Sequence, residues 1–195
     1  MLKAKDSFGE VSATEDLLRF FLQGLTRGVQ VTASLVSRSG QLIDSEGTSK
    51  EISWPEDKLL LSALRRNAEV VLTTGKTARA ENIRMPKTAK LAVISNSGDL
   101  SGTRLEATNP DLLMLSGSVD SSEYIEHLES LGFRRLHVEY GPSTLKQSLG
   151  SGLIGVLVES YIDTSYFPDN LHKEILSMKL GPGHLRVLVV GVATD

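Results

Sequence analysis

Between residues 55 and 162, stretches with strand periodicity alternate with stretches with helix periodicity, and this order restricts the fold more than any other feature of the chain. A parallel strand pair needs a crossover long enough to hold a helix, so the alternation predicts an α/β fold with a mostly parallel central sheet flanked by helices. Val70–Leu72, Lys90–Ile94, Leu112–Leu115, Leu136–Tyr140 and Val156–Ile162 supply its strands. Another strand precedes them at 29–37, and Arg38-Ser-Gly40-Gln turns the chain after it. Leu185, Val187, Val189 and Val190 mark a last strand, expected antiparallel at an edge. The polar residues 163–182, with Pro168 and Pro182, read as a long connection.

The helices carry their own signals. Ser12-x-x-Glu15 is a capping box, and Leu17, Leu18, Phe21, Leu22 and Leu25 follow at helical spacing, which predicts an amphipathic helix over 13–27 behind a polar arm at 1–10. Its apolar face belongs to the core or meets a second subunit. Ser53-Trp-Pro-Glu56 is a second capping box with Pro55 in the first turn, and Leu59, Leu60, Ala63 and Leu64 form the buried stripe. Ser121 or Ser122 starts a helix that runs to Leu131, where Gly132 closes it. Residues 78–88 read as an exposed loop or a broken helix. The chain therefore divides into an arm and helix at 1–28 and one α/β domain at 29–195.

The stretch 135–150 is where chemistry is expected. Leu136, Val138 and Tyr140 alternate with His137 and Glu139, a tight turn follows at Gly141, and Pro142-Ser143 opens a helix bearing Leu145 and Leu149 on one face. Gly141 suits a positive φ or the close approach of another backbone. A strand that ends in glycine before a helix N-terminus with two hydroxyls is a ready anion site, and in an α/β sheet it lies at the carboxyl ends of the strands, where ligands bind. The competing reading is an ordinary strand-to-helix turn whose glycine and serine only cap the helix.

Composition removes several classes. There is no cysteine among the 195 residues, so disulfides, thiolate metal sites and cysteine nucleophiles are excluded. The balance of 21 basic to 24 acidic residues gives no strong field for nucleic acid or an anionic membrane. The apolar run around Leu185–Ala193 is far shorter than the ~20 residues of a membrane helix, and the N-terminus shows no signal-peptide core, so a cytoplasmic protein is expected. Gly150-x-Gly152-x-x-Gly155 matches a dinucleotide fingerprint by letter but lies between a helix and a strand, the reverse of what that motif requires. Gly75-Lys-Thr77 imitates the end of a P-loop but lacks its first glycine, since position 70 is Val. No Gly-x-Ser-x-Gly elbow is present. His137 and Glu139 share a strand face, as a polar face or as two members of a metal site that would need further ligands.

Four blocks in order resemble the reductase domain of bacterial riboflavin biosynthesis, a pyrimidine reductase with a dihydrofolate-reductase-like fold. They are Ser37-Arg-Ser-Gly-Gln41, Ser53-Trp-Pro-Glu-Asp57 leading to Arg65, Val70-Val-Leu-Thr-Thr-Gly-Lys-Thr-Ala-Arg-Ala-Glu81, and Glu139-Tyr-Gly-Pro-Ser-Thr144. The resemblance covers about Val29 to Ile162. It implies a single-domain fold with an antiparallel C-terminal edge, a homodimer, and an NADPH-dependent reductase acting on the ribosyl group of a phosphorylated aminopyrimidine. By position, Gly141, Pro142, Ser143 and Thr144 would cradle the cofactor diphosphate. Thr74, Gly75 and Thr77 would line its opposite side, and Ser95, Asn96 and Ser97 would meet its adenosine end. Ser37, Ser39, Trp54, Arg79 and Arg84 would face the substrate, whose phosphate suits a guanidinium. The plain alternatives are a staple beside the helix start for Trp54 and solvated loop charge for the two arginines.

The chain departs from the family at telling places. The family's turn aspartate is Ser39 and its lysine is Gln41; Thr74 and Tyr140 replace glycines. The resemblance therefore implies either an active reductase, a non-catalytic cofactor-binding paralogue, or a scaffold that keeps only the fold.

Overall fold

The structure, a computed structural model, describes residues 29–41, 53–117, 122–166 and 173–190. The expected helix at 13–27, the arm before it and the polar segment after Gln41 lie outside the described residues. Eight strands form one sheet: β1 (Gln30–Arg38), β2 (Val70–Thr74), β3 (Lys90–Ile94), β4 (Leu112–Leu115), β5 (Arg135–Glu139), β6 (Val156–Ile162), β7 (Lys173–Leu180) and β8 (Gly183–Val189). Their order across the sheet is β4-β3-β2-β5-β1-β6-β8-β7. The six strands from β4 to β6 are parallel, while β8 runs antiparallel to β6 and to β7. Four helices make the connections: α1 (Pro55–Asn67), α2 (Gly75–Ala80), α3 (Glu123–Ser130) and α4 (Pro142–Gly150). None of the described helices is long and apolar enough to cross a membrane.

The register assigns the two faces. Val71, His137, Thr32 and Val156 lie side by side across β2, β5, β1 and β6, so their side chains project to one side. On that side α1 packs Leu60 and Leu64 against Val156, Val158, Leu185 and Val187. Ala78 of α2 and Ile83 after it close over Val71, Leu91, Val93 and Leu112. Between these two apolar clusters runs a polar seam of Thr32, Ser34, His137 and Glu139. On the opposite side Tyr124 and Leu128 of α3 and Leu145 of α4 pack on Val31, Leu72, Leu136, Val138 and Leu157 in the largest cluster.

Three expectations need correction. Residues 163–182 are not one irregular connection, because β7 occupies 173–180 and turns through Gly181 and Pro182 into β8. Gly181 takes φ +59°, which a two-residue hairpin turn uses and glycine allows freely. A bulge between Glu174 and Leu176 disrupts the strand alternation, which hides β7 in the sequence. β8 is consequently internal, flanked by β6 and β7, and β7 is the edge. Finally, Ser53 does not cap α1. Trp54 is the N-cap and makes no side-chain cap bond, because Pro55 at the first position sets the start one residue later. The Ser53 hydroxyl bonds to the Asp57 carboxylate instead.

Candidate functional site

The carboxyl ends of the parallel strands bring most of the expected cofactor residues together. Thr74 caps the short helix α2, its Oγ1 accepting from Thr77 N at 3.1 Å. The Thr74 hydroxyl then donates to Thr77 Oγ1 at 3.0 Å, and Gly141 N donates to the same oxygen at 3.1 Å. Both lone pairs of Thr77 Oγ1 are thereby used, and its own proton is left to donate. The bond ties the end of β2 to the turn after β5. A second tie, Thr73 Oγ1 to Glu139 O at 2.7 Å, holds the same two strands just beneath.

Gly141 is the N-cap of α4, in extended backbone with φ −64° and ψ 161°. A positive φ is therefore not what glycine supplies here. A Cβ at this position would be in ordinary contact with Thr77 Oγ1, 3.5 Å away, so other residues fit here and glycine simply leaves that space at the mouth of the turn free. No side chain caps α4, and no acid lies in its first turn. The backbone N–H groups of Ser143 and Thr144 thus keep the partial positive charge of a helix N-terminus.

Gly75 stands at the other side of Thr77. A Cβ on it would approach Ser95 Oγ to 2.9 Å and Arg79 Nη1 to 3.3 Å, so only glycine lets the end of β3 and the guanidinium close over this backbone. Ser95 Oγ lies 3.3 Å from Ser97 Oγ, and Asn96 Oδ1 accepts from Gly117 N at 3.0 Å. Thr74, Gly75, Thr77, Ser95 and the Gly141–Thr144 turn form one continuous patch across β3, β2 and β5.

The expected substrate residues are not gathered into that patch. Ser37 is fully buried and donates to Glu159 Oε1 at 3.2 Å. Ser39 sits at the end of β1 with φ +50° and donates to Asp163 Oδ2 at 3.0 Å; Asp163, at the end of β6, also has a positive φ, +68°. Trp54 is buried with Leu60, Leu64 and Val158, and its indole lies against Gly183. Arg84 is exposed in the loop after α2. Arg79 turns toward the end of β3, where Nη1 donates to Asp99 O at 2.8 Å.

Beneath the patch lies a charged group whose members are far apart in the sequence. Arg65 in the last turn of α1 grips Glu139, which lies 3.7 Å from His137 Nε2. Burial holds His137 down at about 4, so the ring is neutral near pH 7. Thr32 Oγ1 donates to Leu136 O, and so it accepts from His137 Nδ1–H; Nε2 in turn accepts from Ser34 Oγ at 3.2 Å. Burial, opposed by the bond from Ser160, also raises the Asp57 carboxyl above the usual range. Among the described residues no three His, Asp or Glu side chains converge as a metal site. The signal for the Arg65–Glu139 pair was a basic residue on the polar face of α1 and an acid on β5, but only the crossover from α1 to β2 brings them together.

No protein-family model and no curated protein sequence matches the chain. Solved structures do. A diaminohydroxyphosphoribosylaminopyrimidine deaminase/5-amino-6-(5-phosphoribosylamino)uracil reductase from Thermotoga maritima superposes with TM-score 0.66 at 15% identity, covering 88% of this chain and 59% of its own. The riboflavin biosynthesis reductase of Saccharomyces cerevisiae gives TM-score 0.66 at 13% identity, with 91% and 99% covered. Dihydrofolate reductase of Enterococcus faecalis, solved with NADP(H), gives 0.56 at 15%, with 83% and 96% covered. The chain spans 58% of the RibD chain of Acinetobacter baumannii, as it spans only part of the Thermotoga one. At these identities the likeness speaks for architecture alone, and the architecture is unambiguous: this chain has the dihydrofolate-reductase-like fold of the riboflavin-pathway pyrimidine reductases.

Proposed function

We propose that the protein is an NADPH-dependent reductase whose substrate is a phosphorylated aminopyrimidine of the kind named for the Thermotoga protein, 5-amino-6-(5-phosphoribosylamino)uracil. The observation that carries the reading is the junction of Thr77 Oγ1 with Gly141 N beside the uncapped N-terminus of α4. A helix start without acid, a glycine that leaves its mouth open and a hydroxyl with a proton to donate make a cradle for a diphosphate. Ser143 and Thr144 would hold that diphosphate through backbone N–H groups, and Thr77 through its hydroxyl. Bound cofactor would supply the hydride; the chain's own task is to hold two reactants in register. The ends of β1 and β6, next along the sheet, would then receive the substrate near Ser39 and Asp163.

Reduced-nicotinamide fluorescence during titration with NADPH and NADH tests the cofactor, with Gly141→Asp as the site-specific control. Aspartate is a good N-cap and the backbone there is extended, so this variant should fold as well as the parent, gaining a few tenths of a kcal/mol. Its carboxylate should repel the diphosphate. Micromolar binding in the parent that disappears in Gly141→Asp supports the proposal, and oxidation of NADPH with the aminopyrimidine phosphate completes it. Binding without turnover of that substrate would instead mark a non-catalytic paralogue, consistent with Ser39 and Gln41. Failure to bind either dinucleotide refutes the cofactor reading and leaves a scaffold.

A further inference from the structure

We infer that the helix expected over residues 13–27 docks on the sheet face over β6 and β8, on the side opposite α1, and runs antiparallel to β1. The two sides of the sheet differ at this place. α1 covers β6 and β8 on one side through Val156, Val158, Leu185 and Val187. On the other side α4 joins β5 to β6 and so crosses over β1, which lies between them. β8 is two strand spacings from β1, about 10 Å, whereas a helix reaches only about 5–6 Å to either side of its axis. No described helix therefore lies over β8 or β7 on this side. Leu157 and Leu188 on that face are nonetheless 0% and 2% exposed. In the same cluster Leu35, Leu149 and Leu153 are only partly buried.

Chain connectivity names the occupant. Only Gly28 and Val29 separate residue 27 from β1, whose first N–H, that of Gln30, is bonded to Arg134 O at 2.7 Å. So short a link returns a helix along the strand it precedes. On the α1 side the space over β1 is the polar seam of Thr32, Ser34 and His137, which does not suit Leu18, Phe21, Leu22 and Leu25. On the other side α4 holds β1 itself, so the place left is over β6 and β8. The lengths agree, since residues 13–27 as helix span about 22 Å and the seven residues of β6 about 23 Å. The other stretches outside the described residues hold eleven residues or fewer, and none carries an apolar helical stripe.

The charges fit as well. A right-handed helix running down the sheet with its leucines inward turns Glu15 and Arg19 toward β7. From the top of that strand, Lys179, Ser177 and Glu174 lie on the same face, all exposed. Glu15 stands about 18 Å above Arg27 and comes to the level of Lys179, while Arg19, about 12 Å above it, falls between Ser177 and Glu174. Seated there, the helix also shields the buried Glu159–Arg186 pair from water.

The chain has no cysteine, so two introduced thiols are the only ones present. The test uses the full chain carrying Arg19→Cys with Ser177→Cys, treated with a short bismaleimide. The comparison is Arg19→Cys with Lys58→Cys, whose second thiol sits exposed on α1, on the opposite side of the sheet. The first pair should crosslink within one chain at least about 10-fold faster, because a seated helix raises the effective concentration of its thiol. Adding Leu18→Asp, which sets a charge on the apolar face, should erase the difference. Equal rates for the two pairs would overturn the docking, and so would a difference that survives Leu18→Asp. A crosslink that joins two chains, seen as a doubled mass, would place the helix on a second copy and overturn it as well.

Discussion

Arg65 holds the Glu139 carboxylate by both oxygens, Nε donating to Oε1 and Nη2 to Oε2, each at 2.6 Å. The fork draws the end of α1 onto the last residue of β5, two positions before Gly141. The bond to Glu139 also raises the proton affinity of the guanidinium against the effect of burial. Arg65→Ala would strand a carboxylate that is 12% exposed beside a neutral imidazole. Loss of one partner of a fully buried pair costs about 3–5 kcal/mol, but Arg65 is 34% exposed and screened by solvent, so about 2 kcal/mol is expected. Urea unfolding of Arg65→Ala, Glu139→Gln and the double variant measures the coupling. Additive effects would mean that the fork contributes nothing.

His137 should make stability fall with acid. In the folded chain it titrates near 4, whereas an unfolded histidine titrates near about 6.5. Between these values the unfolded chain binds more protons, so stability rises with pH across this window and is lost as pH falls through it. Each tenfold difference in proton affinity corresponds to about 1.4 kcal/mol, so the change is on the order of 3 kcal/mol. Other carboxylates titrate in the same range, so the readout is the difference between the parent and His137→Gln. Urea midpoints at pH 7 and pH 4 should converge toward acid. Parallel pH dependences of the two proteins would show that His137 accepts its proton as readily in the fold.

The sheet was legible because β3 and β4 are short apolar runs, β5 alternates at strand period, and the crossovers carry amphipathic helices. Lys90–Ile94, Leu112–Leu115 and Val156–Ile162 stand where the pattern puts them, and β2 runs two residues past the expected Val70–Leu72. β7 escaped because a bulge breaks its alternation, and a single inserted residue is enough to turn a strand pattern into apparent loop. At the patch, Gly141 and the helix behind it could be read locally, since turn and cap are local events. The direction of Arg79 could not, because it depends on where β3 ends relative to Gly75. Glu139 was visible on its strand face, but its partner is 74 residues away in sequence. Thr32, Ser34 and His137 likewise become one seam only through the register of β1 on β5.

Gly75→Ala should damage the patch through β3. The added Cβ would stand 2.9 Å from Ser95 Oγ and 3.0 Å from Ser95 Cβ. Ser95 cannot simply retreat, because its N–H is bonded to Leu115 O at 2.8 Å. Overpacking of this kind costs about 1–3 kcal/mol. The second-site change Ser95→Gly removes both contacts and should restore most of the loss. Thermal unfolding of the single and double variants decides it, and a Gly75→Ala protein as stable as the parent would show that the β2 and β3 ends can part freely.

Glu159 and Arg186 form a second, deeper charge pair, on the sheet face opposite α1. Both side chains are essentially without solvent contact, and Arg186 Nε donates to Glu159 Oε2 at 2.7 Å. Glu159 also accepts from Ser37 Oγ, Ser165 Oγ and Tyr166 N at 3.2, 2.8 and 2.7 Å, and Arg186 donates to Ser165 Oγ. The pair therefore pins residues 163–166, which carry Asp163, over the ends of β1 and β6. Arg186→Met should cost about 3–5 kcal/mol, since it leaves a buried carboxylate without its cation. Replacing both residues, as Glu159→Leu with Arg186→Met, removes the stranded charge and should recover a large part of that loss. It would still release Ser165 and the Tyr166 amide. Fold stability and the hold on 163–166 are thus separable: urea unfolding should show recovery in the double variant, while amide exchange at Tyr166 should stay fast. A double variant that protects the Tyr166 amide as the parent does would mean that the pair does not hold the segment.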